Sequence, residues 1–262
     1  MLSRRRVSDY NQNPMQRKMT PQDCAQMLMG AERIVALTGA GISTSAGVPD
    51  FRGPNGLYVT RRYDPETVFD INAFLDNPEP FYDFTRDFLS VVDRIEPTVA
   101  HRFLATMESE GRLRCVVTQN IDFLHQRAGS ENVISVHGGY WTSRCLRCGS
   151  LFDYETMRSR VEEEQVPRCG RNCGGLIKPD VVFFGEAVQG MEQAADEVME
   201  ADLMLVLGSS LTVYPVASLP AMARCPVIIV NKGPVGLSPG PERFFVDEDL
   251  DEFFAEVGSL LS

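Results

Sequence analysis

The sequence predicts an α/β fold: a Rossmann-like, doubly wound parallel sheet with a helical insertion and a small cysteine-rich module. Three observations predict it. Short apolar runs recur along the chain without polar interruption, as in strands that are buried on both faces of a parallel sheet. Stretches with helical spacing lie between these runs. The first run ends in a glycine-containing loop, which is typical of the first turn of such sheets.

The predicted strands span residues 34–37, 114–117, 133–136, 203–207 and 227–230. Each of them ends in small or polar residues rather than in further apolar ones. In a doubly wound sheet, the carboxyl ends of the strands line one ligand crevice. We therefore expect the residues that follow the five strands to converge on a single site.

Two segments interrupt the alternation of strands and helices. Residues 55–100 carry aromatic residues at spacings that indicate short helices, and we interpret most of them as the core of a helical insertion. Residues 140–175 are rich in arginine, cysteine and glycine, and they are predicted to form a small inserted module. Residues 1–18 are predicted to be a disordered tail, which leaves one domain at 19–262.

The charge balance excludes some classes of partner. The formal net charge is −11, and because the first 18 residues carry +4, the remainder carries −15. Nucleic acid is therefore not expected to be a direct ligand. An acidic surface attracts basic peptide segments, although solubility alone also explains a charge of this size. No apolar run is long enough to span a membrane, so no membrane association is expected.

Four of the seven cysteines form two close pairs, Cys145/Cys148 and Cys169/Cys173, with 20 residues between the pairs. Two such pairs can place four thiolates at the corners of a tetrahedron around Zn²⁺. Because four protein ligands leave no open coordination position, the predicted zinc ion is structural rather than catalytic. Two disulfides or four unrelated thiols are the alternative interpretations.

The other three cysteines, Cys24, Cys115 and Cys225, stand alone beside apolar residues and are predicted to be core residues. The total is odd, and the basic tail is not followed by the apolar segment of a secretion signal. Both observations favour a reducing compartment. We therefore predict a cytoplasmic protein.

The loop after the first predicted strand is the most informative part of the sequence. Glycine at both ends of Gly39–Gly41 allows backbone N–H groups to approach a pyrophosphate closely, which predicts a dinucleotide-binding loop. The usual GxGxxG pattern is imperfect, because Thr44 stands at the sixth position and the next glycine is Gly47. The loop continues through Asp50 and Arg52, further than dinucleotide binding requires, which indicates a role towards a reacting ligand.

Polar residues also follow the second predicted strand. Gln119, Asn120 and Asp122 carry amide and carboxylate groups, which suit ribose hydroxyls and the carboxamide of nicotinamide. An Asx-type turn that caps the following helix explains the same residues equally well.

His137 is the candidate catalytic base among the three histidines. It stands at a predicted strand end before Gly138 and Gly139, where glycine removes bulk beside the ring. A satisfied structural histidine is an equally open interpretation of this position. His101 and His125 lie in predicted helices and are expected to be structural.

A series of motifs occurs in order along the chain: GAGIS, GVPDFRGPNGLY, TQNIDFLH, VHGG, the paired cysteines, KPDVVFFGE, GSSLTVYP and VIIVNK. This series resembles the sirtuin family of NAD-dependent protein lysine deacylases, over about residues 20–256. The resemblance implies an enzyme, most simply a deacetylase, whose partner is an acyl-lysine protein or peptide. Its reaction converts acyl-lysine and NAD to lysine, nicotinamide and O-acyl-ADP-ribose.

The resemblance also implies which residues contact NAD. One set is the loop that binds the phosphates and closes over nicotinamide: Gly39, Ala40, Gly41, Ser43, Asp50, Phe51, Arg52 and Tyr58. A second set contacts the nicotinamide ribose and carboxamide: Gln119, Asn120, Ile121 and Asp122. A third set holds the adenine ribose side: Gly208, Ser209, Ser210, Asn231 and Lys232. Leu250 is aligned by pattern alone as an adenine contact.

In the implied reaction, the acyl-lysine oxygen attacks C1′ of the nicotinamide ribose, and His137 then deprotonates a ribose hydroxyl that attacks the amidate carbon. Asn120 and Asp122 are implied to be catalytic beside this ribose. Positive charge develops there in the first step, so an enclosed carboxylate, Asp122 or Asp50, is suited to stabilise it. The substrate backbone is implied to pair by strand addition with Val182, Phe183, Phe184, Gly185 and Glu186.

Two features depart from the family's pattern. The second cysteine pair encloses three residues where two are commoner, which still permits tetrahedral ligation. Desuccinylating members carry a tyrosine and, three residues later, an arginine. Here Tyr82 is followed at that spacing by Thr85, and Arg86 is one position out of register. We therefore expect a neutral acyl group, with acetyl as the simplest.

Two other functions stay open at this point. Mono-ADP-ribosyl transfer to protein uses the same bound NAD with a different acceptor. A noncatalytic NAD-sensing module is the second alternative, and the presence of His137 weighs against it.

Overall fold

The computed structural model describes residues 17–48, 63–170 and 173–261. The strands are β1 Arg17–Lys18, β2 Ile34–Thr38, β3 Leu113–Thr118, β4 Val133–Ser135, β5 Thr142–Cys145, β6 Leu151–Asp153, β7 Ile177–Pro179, β8 Leu203–Leu207, β9 Val227–Val230 and β10 Arg243–Val246. Seven of them form a parallel sheet in the order β1-β10-β9-β8-β2-β3-β4. The other three form an antiparallel sheet in the order β6-β5-β7.

Helices connect the strands. They are α1 Pro21–Gly30, α2 Pro65–Val68, α3 Ile71–Asp76, α4 Glu79–Val92, α5 Val99–Ser109, α6 Leu124–Ala128, α7 Tyr154–Glu163, α8 Met191–Glu200, α9 Leu219–Met222 and α10 Leu250–Leu261. Short 3-10 helices span Ala40–Ala46 and Val216–Ser218. Among the helices of the described residues, none is both long and apolar enough to cross a lipid bilayer.

Both faces of the large sheet are covered by helices. On one face, Ala36 of β2 belongs to the same buried cluster as Leu104 of α5 and Phe253 of α10. On the other face, Val35 packs in a cluster with Val198 of α8. Successive side chains of a strand point to opposite faces, so a sheet that is covered on both sides needs apolar residues at every position. This requirement explains the continuous apolar runs and confirms the doubly wound architecture.

The five strands that we predicted from the sequence are confirmed as β2, β3, β4, β8 and β9, with ends that differ by at most one residue. Strand β10 was not predicted, because it begins with Arg243 and its first three residues are only half-buried. Strand β1 was not predicted either. It contains only the last two residues of the predicted tail, which pair with Phe244 and Phe245, while residues 1–16 lie outside the described chain.

Aromatic residues form the core of the helical region that follows residues 49–62, which are themselves outside the described chain. Phe81 and Tyr82 lie on α4, a helix of 14 residues that is longer than the short helices expected here. Phe81 packs edge-to-face on Phe74 of α3, with ring centroids 5.3 Å apart, and its centroid is 4.9 Å from that of Phe183. The aromatic residues described in this region are therefore core residues, as we interpreted them from the sequence.

The small module contains β5, β6, β7 and α7. Arg86 of α4 ties the module to the helical region, because its Nη1 atom lies 3.1 Å from the carbonyl oxygens of Val161 and Glu164 and 3.2 Å from that of Gln165. The last carbonyl groups of a helix have no partner within the helix, so a guanidinium group stabilises this end of α7. The Arg86 side chain is thus committed to the module.

Candidate active site

The ends of the central strands lie side by side at one edge of the sheet. Backbone hydrogen bonds continue the sheet just beyond the strands: Gln119 N to Thr38 O, Gly39 N to Leu207 O, Val136 N to Thr118 O and Asn231 N to Val246 O at 3.0 Å, and Gly208 N to Val230 O at 2.9 Å. The polar residues after the five predicted strands therefore line one edge, which is the convergence expected from the sequence.

Two glycine loops touch at the centre of this edge. Gly41 N donates to Gly208 O at 2.9 Å. A Cβ atom on Gly41 would lie 2.7 Å from Gly208 Cα, and one on Gly39 would lie 2.8 Å from Gly208 O. Gly208 itself has a φ of +63°. The glycines are thus needed for contact between the loops. Their N–H groups donate to Leu207 O and Gly208 O, and the close approach to a pyrophosphate stays a prediction.

The imperfect glycine fingerprint has a structural explanation. Residues Ala40–Ala46 form a 3-10 helix rather than an α-helix, and Gly47 ends it in the left-handed conformation with a φ of +98°. Gly47 N donates to Thr44 O at 3.0 Å. The later glycine therefore closes the short helix. The predicted contacts Asp50, Phe51, Arg52 and Tyr58 lie outside the described residues.

Asp122 is the buried carboxylate of the site, with 3% of its surface exposed. Ser43 Oγ donates to Asp122 Oδ2 at 2.6 Å, and Leu124 N donates to Asp122 Oδ1 at 3.1 Å. One oxygen thus caps the start of α6, as the Asx-type interpretation predicted, while the other faces the glycine loop. Burial raises the pKa of Asp122, and the hydrogen bond from Ser43 opposes that rise.

Amide side chains link Asp122 to the two glycine loops. Asn120 Nδ2 donates to Ser43 Oγ at 3.1 Å and to Gly39 O at 3.2 Å. Gln119 Nε2 donates to Ser209 Oγ at 2.9 Å. These contacts join the ends of β2, β3 and β8. The neighbouring Ile121 and Ser210 are half-buried.

His137 follows β4 and is half-buried. Its Nδ1 atom is 3.0 Å from the carbonyl oxygen of Gln119. A carbonyl oxygen only accepts hydrogen bonds, so Nδ1 carries the proton of the neutral ring and Nε2 keeps a free lone pair. Burial lowers the pKa of His137, although the bond to Gln119 partly opposes this. The ring is therefore neutral and suited to accept a proton at Nε2.

The backbone around His137 is held on both sides. Gly138 has a φ of +66°, and a Cβ atom there would overlap the carbonyl oxygen of Asp180. Val182 N donates to His137 O at 2.9 Å. The glycine after His137 is therefore required by close backbone packing, which keeps the imidazole in one position.

The predicted substrate segment Val182–Glu186 already uses some of its backbone groups. Phe184 N donates to Phe69 O at 2.6 Å, and Ile71 N donates to Phe184 O at 3.2 Å. The side chain of Phe183 is buried, whereas Phe184 is 47% exposed. The carboxylate of Glu186 turns inward, where it accepts a hydrogen bond from Phe183 N at 2.8 Å.

The four paired cysteines form a cluster. All four Sγ atoms lie within 4.8 Å of one another, and the separations are 3.5 Å for Cys145 to Cys173, 3.7 Å for Cys148 to Cys169 and 3.5 Å for Cys148 to Cys173. Zinc–sulfur bonds of about 2.3 Å in a tetrahedron give sulfur separations of about 3.8 Å, so the cluster fits one Zn²⁺ ion. All seven cysteines are free thiols, which excludes the disulfide alternative.

The remaining cysteines are largely core residues. Cys24 and Cys115 are fully buried, as predicted, whereas Cys225 is half-buried at the edge of its cluster. Burial raises the pKa of Cys225 to about 11.

The model of the Sir2 family matches residues 39–215, which is more than half of the chain. The chain belongs to the Sir2 family. The NAD-dependent protein deacetylase of Thermotoga maritima is 42% identical over 220 residues, which cover 82% of this chain and 88% of that protein. A solved structure of Sir2 with a p53 peptide and NAD⁺ matches with a TM-score of 0.83 and 38% identity, over 92% of this chain and 98% of that one. Another, with a deacetylated p53 peptide and 3′-O-acetyl ADP ribose, has a TM-score of 0.85 and 39% identity over the same shares.

Three predicted NAD contacts lie outside residues 39–215, the part of this chain that the family model matches. Asn231 Nδ2 donates to Lys232 O at 3.0 Å, and Lys232 Nζ donates to Asp249 Oδ2 at 2.8 Å. Leu250 is partly buried against the core between α1, α5 and α10. The structure thus places Asn231 at the crevice edge, whereas Leu250 packs against the core.

A buried polar network, which the sequence did not predict, lies behind the glycine loop of this Sir2 protein. Thr38 Oγ1 is 2.9 Å from His125 Nε2, and the rings of His125 and His101 have centroids 4.6 Å apart. Thr98 Oγ1 donates to Ile42 O at 3.2 Å and lies 2.8 Å from His101 Nδ1. His101 and His125 are in helices, as expected, but they also support the loop. The sequence signals for this network are two polar residues, Thr38 at the end of β2 and Thr98 just before α5.

Acidic pH is expected to destabilise the protein through His101. Burial lowers the pKa of His101 from 6.5 to about 4. Below pH 6.5 the unfolded chain binds a proton that the folded chain does not bind, so this contribution to stability is complete above pH 6.5. It is then lost by up to about 1.4 kcal/mol per pH unit as the pH falls towards the folded pKa. Urea unfolding curves at about pH 7, 6 and 5 measure the loss.

The matched variant is His101→Asn, which keeps an acceptor for Thr98 but does not titrate. It should show a shallower loss of unfolding free energy between neutral pH and the folded pKa. The raised pKa of Asp122 acts in the opposite direction, but it is common to both proteins and cancels in the comparison. An equal pH dependence in the two proteins would contradict the prediction.

Proposed function

We propose that this chain is an NAD-dependent protein lysine deacylase that converts acyl-lysine and NAD to lysine, nicotinamide and O-acyl-ADP-ribose. The observation that carries the proposal is the neutral imidazole of His137, whose Nδ1 is bound to Gln119 O and whose Nε2 has no hydrogen-bond partner among residues 17–48, 63–170 and 173–261. Gln119 in turn contacts Ser209 of the facing glycine loop. A base at one end of a dinucleotide crevice suits acyl transfer to a ribose hydroxyl.

The proposed NAD site comprises the residues at the strand ends. The loop that contains Gly39, Ala40, Gly41 and Ser43 is proposed to lie against the phosphates, and the loop Gly208–Ser210 faces it. Asn231 and Lys232 are proposed at the adenine ribose side, and the contacts of Asp50, Phe51, Arg52, Tyr58 and Leu250 stay predictions. Bound NAD supplies the electrophilic ribose carbon and the nicotinamide leaving group.

Three side chains act on the reacting ribose in this proposal. His137 accepts a proton from a ribose hydroxyl at Nε2 and holds it on a ring that Gln119 O keeps oriented. Asp122 accepts hydrogen bonds on both carboxylate oxygens, and its negative charge stabilises the positive charge that develops on the ribose. Asn120 donates a hydrogen bond to Ser43 Oγ and so orients the hydroxyl group that donates to Asp122. The amide of Asn120 is proposed to act beside the reacting ribose.

The acyl group is proposed to be neutral, with acetyl as the preferred one. Thr85 Oγ1 lies 3.2 Å from the Tyr140 hydroxyl, and the Tyr82 hydroxyl donates to Ile177 O. These groups are buried and already have partners. Arg86, the nearest cation in sequence, is directed at the end of α7. Among these described side chains there is no cation for the carboxylate of a succinyl group, so its burial would be costly.

Mass spectrometry of an acetyl-lysine peptide reaction, with and without NAD, tests the function. We expect NAD-dependent loss of the acetyl group together with O-acetyl-ADP-ribose, and slower turnover of the matched succinyl peptide. A protein that gains the mass of ADP-ribose would support mono-ADP-ribosyl transfer instead. Binding of NAD without any turnover would support the noncatalytic sensing module, and faster succinyl removal would contradict the acyl preference.

The cysteine cluster is proposed to hold one structural Zn²⁺ ion on Cys145, Cys148, Cys169 and Cys173. Closely packed backbone supports this assignment, because a Cβ atom on Gly175 would lie 2.7 Å from Cys145 Sγ. With four sulfur ligands the ion supplies folding energy to the module and no open position for a substrate.

Loss of one cysteine ligand is expected to remove the metal. Elemental analysis of the purified protein should give about one zinc ion per chain. Cys148→Ser should lower this content towards zero and lower the melting temperature, because the module is too small to be stable without its metal. Cys225→Ser, outside the cluster, is the control and should keep the zinc. A full zinc content in Cys148→Ser would contradict the assignment.

The proposed partners are acyl-lysine segments of proteins. A net charge of −11 favours basic segments around the acylated lysine. The free thiols of all seven cysteines support a reducing location, and we propose the cytoplasm. That neither nucleic acid nor a membrane is a direct partner stays a prediction.

A further inference from the structure

A buried lysine, Lys178, pairs with the half-buried Glu186 at the end of the proposed substrate segment Val182–Glu186. Lys178 on β7 is only 6% exposed, and its Nζ atom is 2.8 Å from Glu186 Oε2. The same ammonium group donates to Val181 O at 2.7 Å and to Pro179 O at 3.3 Å. Each of these contacts joins the ammonium group of Lys178 to one of the eight residues that follow it in the chain.

The ring of Phe183 completes the surroundings of this ammonium group. Lys178 Nζ lies 4.1 Å from the ring centroid, within the range of a cation–π interaction. Phe183 is itself buried in the aromatic cluster with Phe69, Phe74 and Phe81. The ion pair is thus packed against the core of the helical region.

One carboxylate oxygen joins the side chain of Lys178 to the backbone of the substrate segment. Glu186 Oε2 accepts a hydrogen bond from Phe183 N at 2.8 Å, in addition to its contact with Lys178. The chain reverses at Gly185, whose φ is +94°, and Glu186 N donates to Phe183 O at 3.0 Å. The turn from 183 to 186 is closed by both backbone and side-chain bonds.

The braced segment also contacts the catalytic candidate. Val182 lies between Val181, whose carbonyl group accepts a hydrogen bond from Lys178, and Phe183, whose N–H group donates to Glu186. The N–H group of Val182 donates to His137 O at 2.9 Å. Displacement of the segment would therefore move the backbone of His137 as well as the peptide-binding backbone.

Stability alone does not explain a buried, charged lysine at this place. A well-packed apolar residue of similar volume is often as stabilising as a buried charge with its partner, because the charge loses its hydration. The directed hydrogen bonds of the pair supply what apolar residues cannot, namely a single conformation of the backbone from 179 to 186.

We propose that Lys178 and Glu186 are positioning residues that fix the backbone on which the acyl-lysine segment docks. This proposal rests on the proposed deacylase function. It gives Glu186 a role different from the direct substrate contact that the sequence resemblance implied. The carboxylate acts through Phe183 N and Lys178, and the peptide meets the backbone that these two residues hold in place.

Steady-state kinetics with an acetyl-lysine peptide and NAD tests the role. Glu186→Ala and Lys178→Met should raise KM for the peptide by about tenfold or more, whereas KM for NAD should stay within about twofold, because the glycine loops are not attached to the pair. Glu186→Gln keeps an acceptor for Phe183 N and should show a smaller effect than Glu186→Ala. Arg114→Met is the matched control, since it breaks the distant Arg114–Glu197 pair, and it should leave both KM values unchanged.

Hydrogen exchange of the free proteins provides a readout that does not depend on activity. In Glu186→Ala and Lys178→Met, the amide of Phe183 should exchange about tenfold faster or more, while amides of β8 keep their protection. If the wild-type protein shows no NAD-dependent deacylation, the proposed function fails, and the exchange rates still decide whether the pair braces the segment.

Two outcomes would overturn the positioning role. One is unchanged exchange at Phe183 in both variants, and the other is an equal rise of KM for peptide and NAD. Should Glu186→Ala or Lys178→Met fail to fold, as judged by near-ultraviolet circular dichroism, Glu186→Gln replaces it in both measurements. In that variant a peptide KM and a Phe183 exchange rate equal to those of the wild type would reject the role of the charged pair.

Discussion

His137→Ala is expected to lower kcat for peptide deacylation by about 10²- to 10⁴-fold, which is the usual contribution of a positioned general base. The variant removes the Nε2 lone pair that His137 presents at the end of β4. Zinc content, the melting temperature and NAD affinity should change little, because the side chain is half-buried and, among the described residues, makes one hydrogen bond, to Gln119 O. Turnover of an acetyl peptide followed by mass spectrometry gives the rate.

A second substitution separates the base from the hydrogen bond. His137→Asn keeps a side-chain donor that can reach Gln119 O but has no basic nitrogen, so it should be as inactive as His137→Ala. Full turnover in either variant would remove His137 from its assigned role. Recovery of activity in His137→Asn alone would mean that the contact with Gln119, rather than basicity, is what the reaction needs.

Gly138→Ala is expected to lower the free energy of unfolding by about 2–5 kcal/mol and to abolish turnover. The left-handed conformation alone costs a residue with a side chain about 1–2 kcal/mol. The new Cβ atom would also overlap the backbone carbonyl of Asp180, which cannot move without disturbing β7. Chemical denaturation measures the first effect.

Gly111→Ala is the matched control for Gly138→Ala. Gly111 has a similar φ of +75°, but a Cβ atom there would meet nothing within 4 Å. This variant should lose only about 1–2 kcal/mol, the cost of the backbone conformation, and it should keep its activity. If the two variants lost equal stability, the close contact with Asp180 would not be the cause.

The contrast between these glycines shows where local sequence information ends. Gly138 follows His137 and Gly111 follows a helix, but the neighbouring residues of either glycine do not tell what it packs against. Only the fold reveals that Gly138 packs against a carbonyl group 42 positions further along the chain. The same holds for Gly41, which touches Gly208 across the crevice.

The sequence by itself determined the features that depend on near neighbours. Uninterrupted apolar runs identified β2, β3, β4, β8 and β9, since a strand between two helical layers needs apolar residues at every position. The spacing of the cysteine pairs identified a cluster whose sulfur atoms fit one zinc ion. Strand β10 was missed because it begins with Arg243, which leaves an apolar run of only three residues.

The tertiary structure alone decided how distant residues meet. The proton position on His137 follows from the carbonyl group of Gln119, just after β3, and the contact between Gly41 and Gly208 follows from the adjacent positions of β2 and β8 in the sheet. No periodicity encodes such pairs, because a contact between residues far apart in the chain depends on strand order and on the packing of both partners. For that reason the sequence located the site, whereas the fold assigned its hydrogen bonds.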